Sequence, residues 1–179
     1  GLINHSYIVT SDTSGSSFLL QQINHTVFKD PVLVQKNYKL VWNYLKDSGT
    51  DFFIPEPKEF TRDVTLYCDS DDNYWRVFEY IYGTETLSSP GSPAQAKEVA
   101  AIFGRFTSSF DEFDIDELNI TIPGFHNLSA RYNQFEQSMK NHQYDRLQKA
   151  ASVIGELRKR ERYVNLYDVF TESSEFLQR

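Results

Sequence analysis

The sequence predicts an α+β fold in which an antiparallel sheet carrying one helix precedes a run of helices. Short β-prone segments, separated by turn residues, fill most of the first 83 positions. A single stretch of helical periodicity interrupts them, and after residue 92 every strong pattern has helical spacing. Strands followed by helices, rather than strands alternating with helices, indicate the α+β class.

The first predicted element is a hairpin that joins residues 7–10 to residues 18–23. Both segments are rich in β-prone side chains, and Ser11 to Ser17 between them consists of serine, aspartate, threonine and glycine. Such residues favour turns, so two antiparallel strands are expected.

A helix is predicted next, beginning after Asp30. Aspartate caps helix N-termini, and Pro31 suits the first helical position because its missing N–H would be unpaired there anyway. Gly49 closes the segment. Apolar residues recur at helical spacing between these two signals, at Val34, Tyr38, Val41 and Leu45.

A second hairpin is predicted after a proline-containing connection. The β-rich runs 64–68 and 74–81 flank the turn-forming residues 69–72. Cys68 lies in the first of these runs, where we expect it to be a small buried side chain.

The remainder is predicted to be helical. A stretch rich in threonine, serine, proline and glycine runs from Gly83 to Pro93, and we place the lobe boundary at its start, giving residues 1–83 and 84–179. Ser92 followed by Pro93 is a helix-start signal. Four apolar stripes follow at helical spacing: Val99, Phe103, Phe106 and Phe110; Leu128, Tyr132, Phe135 and Met139; Leu147, Ala150, Ile154 and Leu157; and Tyr163, Leu166, Tyr167 and Phe170.

Composition excludes several classes of function. The 18 basic and 25 acidic residues give a net charge of −7, and the basic residues are scattered, which disfavours nucleic acid as a partner. The single cysteine excludes an internal disulfide framework and a zinc site made of several thiolates. No apolar run is long enough to cross a bilayer, so we expect no membrane partner and a cytoplasmic location. The oligomeric state stays open.

Five segments along the chain can be compared with motifs of known families: GLINHSY at 1–7, LQQIN at 20–24, VFKDP at 27–31, YWRVFEYIYGT at 74–84 and IPGFH at 122–126. Through them the chain resembles the aminoglycoside phosphotransferase-like family of kinases, closest to its N-acetylhexosamine 1-kinase branch. The resemblance spans nearly the whole chain, in the family's order and with comparable spacing. It implies a protein-kinase-like N-terminal lobe over residues 1–83, followed by the first helices of a helical C-terminal lobe.

The segment 1–7 resembles the end of the family's glycine-rich loop. The resemblance implies that Gly1, Asn4 and Ser6 approach nucleotide phosphates, through backbone or side-chain donors. His5 is then a candidate for contact with the phosphoryl acceptor. Without the resemblance, the same residues read as an ordinary polar turn, with His5 facing solvent.

The strand 18–23 corresponds to the strand that carries the phosphate-binding lysine in kinases, but Gln21 or Gln22 stands in that place. The helix over residues 31–46 contains no glutamate that would pair with such a lysine. Two interpretations remain open. Either Gln21 hydrogen-bonds a phosphate group while metal ions neutralise the charge of that phosphate, or the protein is a weakened or inactive kinase.

The segment 78–83 has the form of a kinase hinge. The resemblance implies that adenine packs near Phe78 and bonds the backbone carbonyl of Glu79 and the backbone amide of Ile81. A hairpin strand that simply runs into a linker has the same composition, and only the order of motifs favours the hinge.

The family's catalytic loop, a His-x-Asp start with a later Asn and a metal-binding Asp, is not found in these residues. We therefore assign no catalytic residue and no metal ligand. We expect the chain to be part of a longer kinase and to end before that loop. The complete protein is expected to use ATP or GTP with Mg²⁺ to phosphorylate a sugar hydroxyl, such as the anomeric hydroxyl of an N-acetylhexosamine. An aminoglycoside, choline or homoserine acceptor stays open, as does a pseudokinase or non-catalytic interaction module.

Overall fold

A computed structural model of the chain describes residues 3–50, 52–140 and 145–173. These residues form five β-strands, five α-helices and one short 3-10 turn. All the strand pairs are antiparallel, which confirms the predicted α+β class. By its internal contacts the chain divides into two compact units, one ending at Ile122 and the other beginning at Pro123.

The first unit contains the sheet and two helices. In chain order its elements are β1 (His5–Thr10), β2 (Ser17–Ile23), α1 (Pro31–Asp47), β3 (Pro57–Lys58), β4 (Tyr67–Cys68), β5 (Tyr74–Glu79), α2 (Pro93–Ser108) and the 3-10 turn (Ile115–Glu117). The strand order is β1-β2-β5-β3, and β4 also pairs with β5. The two central strands, β2 and β5, therefore position the side chains at the middle of the sheet.

The first hairpin forms as predicted. Strands β1 and β2 pair from His5 opposite Gln22 to Thr10 opposite Ser17. Their connection turns at Gly15, whose φ of +70° is accessible to glycine with little strain, and its amide donates to the carbonyl of Ser11 at 2.8 Å.

The second hairpin is shorter than the sequence predicts. Strand β4 has only two residues, and β5 ends at Glu79 rather than at residue 81. Val64 instead forms an isolated bridge with Thr61, across a turn in which Asp63 has a φ of +65°. The expectation that Cys68 is buried is wrong, because β4 is a short strand at the margin of the sheet and leaves this thiol exposed. Strand β3 was not predicted, since two residues that include a proline carry no strand signal.

Helix α1 begins where the sequence predicts it. The carboxylate of Asp30 accepts the amide of Leu33 at 3.0 Å, and Pro31 occupies the first turn. The helix packs against the sheet through Tyr38, whose ring centroid lies 4.7 Å from that of Phe78. The apolar side chains buried most completely are Ile23, Leu45 and Phe78, which belong to β2, α1 and β5.

Aromatic and amide contacts join later segments of the first unit to α1. Tyr44 of α1 stacks on Phe110, with ring centroids 5.6 Å apart. Asn37 of α1 holds the backbone of Asn119, accepting its amide at 2.9 Å and donating to its carbonyl at 2.8 Å. These contacts account for the division after residue 122. That division does not test the lobe boundary predicted at Gly83, which stays a prediction.

The second unit consists of three helices, α3 (Leu128–Lys140), α4 (Arg146–Arg158) and α5 (Arg162–Glu172). Each confirms a helix that the apolar spacing of the sequence predicts. The hydroxyl of Ser129 in α3 donates to the carboxylate of Asp168 in α5. Nε of Arg158 in α4 lies 3.6 Å from Oε1 of Glu136 in α3. Among the helices of the described residues, none combines the length and the apolar character that crossing a membrane requires.

Candidate phosphate-binding cluster

Four polar residues meet on the sheet where β1, β2 and β5 lie side by side. We call Asn4, Ser6, Gln21 and Arg76 the polar cluster. Ser6 and Arg76 both stand directly opposite Gln21, one in each neighbouring strand. Residues that face each other across antiparallel strands project from the same side of the sheet, so the register alone brings three of the four together.

Gln21 is the centre of this cluster. Its side-chain nitrogen donates to the Ser6 hydroxyl at 3.0 Å. Its side-chain oxygen accepts three hydrogen bonds, from Asn4 Nδ2 at 3.3 Å, from Arg76 Nε at 3.0 Å and from Arg76 Nη2 at 2.6 Å. Both the oxygen and the nitrogen of the Gln21 side chain therefore bond to the protein, and Gln21 orients its neighbours.

Asn4 closes one end of the polar cluster. Its side-chain oxygen accepts the backbone amide of Asn24 at 2.9 Å, while its nitrogen donates to Gln21. Both polar atoms of Asn4 thus bond to the protein, so this side chain holds the segment before β1 against the end of β2. The Ser6 hydroxyl accepts from Gln21 and keeps its own proton for a further acceptor.

Arg76 is a residue that sequence reasoning missed. Its guanidinium carbon lies 5.5 Å from the ring centroid of Tyr38 and 4.9 Å from that of Phe78, so the charge lies beside this pair of aromatic rings. Burial lowers the pKa of Arg76 and raises the pKa of Tyr38 to about 12. The only signal in the sequence was the place of Arg76 in the hinge strand, and its meaning depends on the pairing of β2 with β5.

The other residues predicted near the phosphates do not join the polar cluster. His5 is exposed and pairs with Gln22, and alternation along β1 directs it to the opposite side of the sheet from Ser6. On that side Tyr7 lies against Trp75, with ring centroids 6.2 Å apart. Gly1 falls outside the described residues.

The predicted hinge follows directly from β5. Phe78 is buried under α1, whereas Glu79 is exposed at the end of the strand. The amide of Glu79 donates to the carbonyl of Glu56 at 3.1 Å, and the role of the Glu79 carbonyl in binding adenine stays a prediction. Ile81 lies beyond the strand, and its carbonyl accepts the Thr84 hydroxyl at 3.3 Å.

A cavity of about 430 Å³ adjoins the hinge at Glu79. Its walls include Trp42 and Phe52 and none of the four residues of the polar cluster. The volume lies within the range of small-molecule pockets. The cavity beside Glu79 and the polar cluster are therefore separate, and Arg76 and Glu79 are three residues apart along β5.

Within the described ranges, no three histidine, cysteine, aspartate or glutamate side chains are grouped so as to hold a metal ion. Comparison with models of known protein families finds none that matches the chain.

Proposed function

We propose that this chain is the nucleotide-binding lobe, hinge and first helices of a kinase-like small-molecule phosphotransferase. The complete protein would transfer the γ-phosphoryl group of ATP or GTP, with Mg²⁺, to a hydroxyl of a small acceptor. The resemblance favours a sugar, with the anomeric hydroxyl of an N-acetylhexosamine as the first acceptor to test.

The polar cluster is the observation that carries this proposal. Asn4, Ser6 and Gln21 were predicted as phosphate-side residues from motifs 15 or more positions apart, and they share one hydrogen-bonded group. An ordinary polar turn before β1 would not require a partner in the middle of β2. Asn4 and Gln21 bond within the cluster and hold Ser6 and Arg76, the two members that keep donors for a ligand.

The hinge supports the same proposal. Arg76 and Glu79 belong to one strand, and an extended strand rises about 3.3 Å per residue, which puts them about 10 Å apart. A nucleotide that bonds its base to the hinge and its phosphates to the polar cluster would lie along β5 over that length. Recognition of the base would use backbone groups of Glu79 and Ile81, which leaves side-chain identity there unconstrained.

Binding without turnover is the expected behaviour of this chain. No His-x-Asp loop is present within the 179 residues, so the chemistry of transfer has no base here. Isothermal titration with ATP, GTP and adenosine, together with a phosphoryl-transfer assay on N-acetylhexosamine, tests both parts. Micromolar to millimolar nucleotide binding with no turnover is expected. Failure to bind any nucleotide would reject the proposal, and turnover above a mock preparation would reject the absence of catalytic groups.

A further inference from the structure

Arg76 is a positively charged residue in a central strand of the sheet. Within the part of the chain that the structure describes, none of the ion pairs at or below 4.0 Å involves Arg76. Its contacts are the amide oxygen of Gln21 and the faces of Tyr38 and Phe78, all of them uncharged when the phenol is protonated. A guanidinium held in a partly enclosed site usually has an anionic partner, because removing its hydration is otherwise unfavourable.

The guanidinium is held in one orientation. Nε and Nη2 both bond to the same oxygen of Gln21, and the rings of Tyr38 and Phe78, which contact each other, pack against the group. Gln21 is itself fixed by Ser6 and Asn4. A cation oriented in this way can bind an anion without first losing side-chain freedom, which is the usual loss when a flexible arginine or lysine binds.

The remaining N–H donors of Arg76 are available to a ligand. Nη1 has no acceptor among the described residues. It is also not sealed from solvent, because the fully enclosed side-chain nitrogens and oxygens without partners in the described ranges belong to Gln35 alone. The Ser6 hydroxyl, bonded to the same Gln21, has its proton free for a second acceptor. Ser6 and Arg76 lie on the same side of the sheet, in the two strands that flank β2.

We infer that Arg76, aided by the Ser6 hydroxyl, binds a phosphate group of the nucleotide and so replaces the cation that the strand of Gln21 lacks. The inference rests on the proposed function for the identity of the ligand. The anion site itself rests on the unpaired charge, so free polyphosphate is the alternative source of the same chemistry. Phosphate suits the site because a planar guanidinium bonds tetrahedral oxyanions through parallel N–H groups.

The test compares three ligands on the full chain: ATP, adenosine and tripolyphosphate, each titrated by calorimetry at fixed ionic strength. Arg76→Met keeps an unbranched side chain of similar length and removes the charge. We expect it to weaken ATP and tripolyphosphate about tenfold to a hundredfold, the range for a hydrogen bond to a charged group, and to leave adenosine unchanged. The control, Arg62→Met, removes the same charge from an exposed position and is expected to change none of the three.

Gln21→Glu provides an independent route if Arg76→Met does not fold, as judged by circular dichroism. A carboxylate in place of the Gln21 amide would pair with Arg76 and compete with phosphate. ATP and tripolyphosphate should therefore weaken again, while adenosine should not. Unchanged ATP affinity in both variants would overturn the role of Arg76 and leave the proposed function standing.

Binding of the three ligands also separates the two proposals. If the unaltered protein binds ATP and adenosine, and Arg76→Met weakens the binding of ATP alone, both proposals are supported. Binding of tripolyphosphate through Arg76 without binding of adenosine or any preference for ATP would reject the proposed function and support an anion site. Binding of none of the three ligands would reject both.

Discussion

Arg76 and Gln21 are joined by two hydrogen bonds to a single oxygen, at 3.0 Å from Nε and 2.6 Å from Nη2. They face each other across the pairing of β2 with β5, under helix α1. This pair places a cation in the middle of the sheet where the resemblance led us to expect none. It also makes the stability of the sheet depend on whether residue 21 can accept hydrogen bonds from Arg76.

We expect Gln21→Leu to destabilise the protein. Arg76 would lose its acceptor in a partly enclosed site, and an unpaired group of this kind typically lowers the free energy of unfolding by about 1 to 3 kcal/mol. Gln21→Glu should instead raise it, because an ion pair replaces a neutral acceptor. Urea unfolding of both variants measures these changes. The matched control is Gln22→Leu on the opposite side of the sheet, and an equal loss in the control would show that Arg76 is not the cause.

At the hinge, Ile81→Pro should weaken ATP and GTP binding about tenfold to over a hundredfold. Proline removes the backbone N–H that the base would need, and Ile81 lies outside β5, so no ladder hydrogen bond is lost. Glu79→Gln is the control, since it alters a side chain and leaves the backbone groups in place. Calorimetric titration decides the matter, once circular dichroism shows that both variants are folded. A folded Ile81→Pro variant with unaltered ATP affinity would remove this hinge assignment.

Asp69 makes the stability of the second hairpin depend on pH. Its carboxylate accepts Trp75 Nε1 at 2.8 Å and the backbone amides of Asn73 and Asp71 at 2.9 Å. These bonds, led by the one from Trp75, lower the pKa of Asp69 from 3.8 to about 2. A carboxyl group whose pKa falls on folding stabilises the folded state above its ordinary pKa, and the benefit disappears as the pH falls through the folded value.

Accordingly, Asp69→Ala should lower the free energy of unfolding at neutral pH and progressively less as the pH falls from about 4 to about 2. Unfolding by urea at several pH values across that window checks this dependence. Asp71→Ala, at an exposed position of the same turn, is the control for the loss of a negative charge. A gap between wild type and Asp69→Ala that does not change with pH would contradict the assignment.

Gln35 in α1 is a site where the protein should gain stability. It is 3% exposed, and neither its side-chain nitrogen nor its oxygen has a hydrogen-bond partner among the described residues. Removing an unpaired buried amide while keeping its volume should raise the free energy of unfolding by about 1 to 3 kcal/mol. Gln35→Met does this, and Lys36→Met at the adjacent exposed position controls for helix propensity. A loss of stability in Gln35→Met would show that the amide has a partner in solution.

Local signals in the sequence were sufficient for most of the elements. Asp30, Pro31 and Ser92 mark helix starts through interactions within a few residues, and each forms the predicted cap or first turn. The same holds for the first hairpin, whose turn chemistry is contained in Ser11 to Ser17. Strand β3 could not be predicted in this way, because two residues become a strand only through their pairing with β5.

The polar cluster shows where local signals end. The family resemblance singled out Asn4, Ser6 and Gln21, since each belongs to a segment that carries it. It gave no reason to join them to Arg76, which is 55 positions from Gln21 and meets it only through the register of two central strands. Register depends on packing between distant segments, such as that of Tyr38 in α1 against Phe78 in β5, which is a property of the packed molecule. The sequence therefore determined which elements form, and the tertiary structure decided which charges and donors meet.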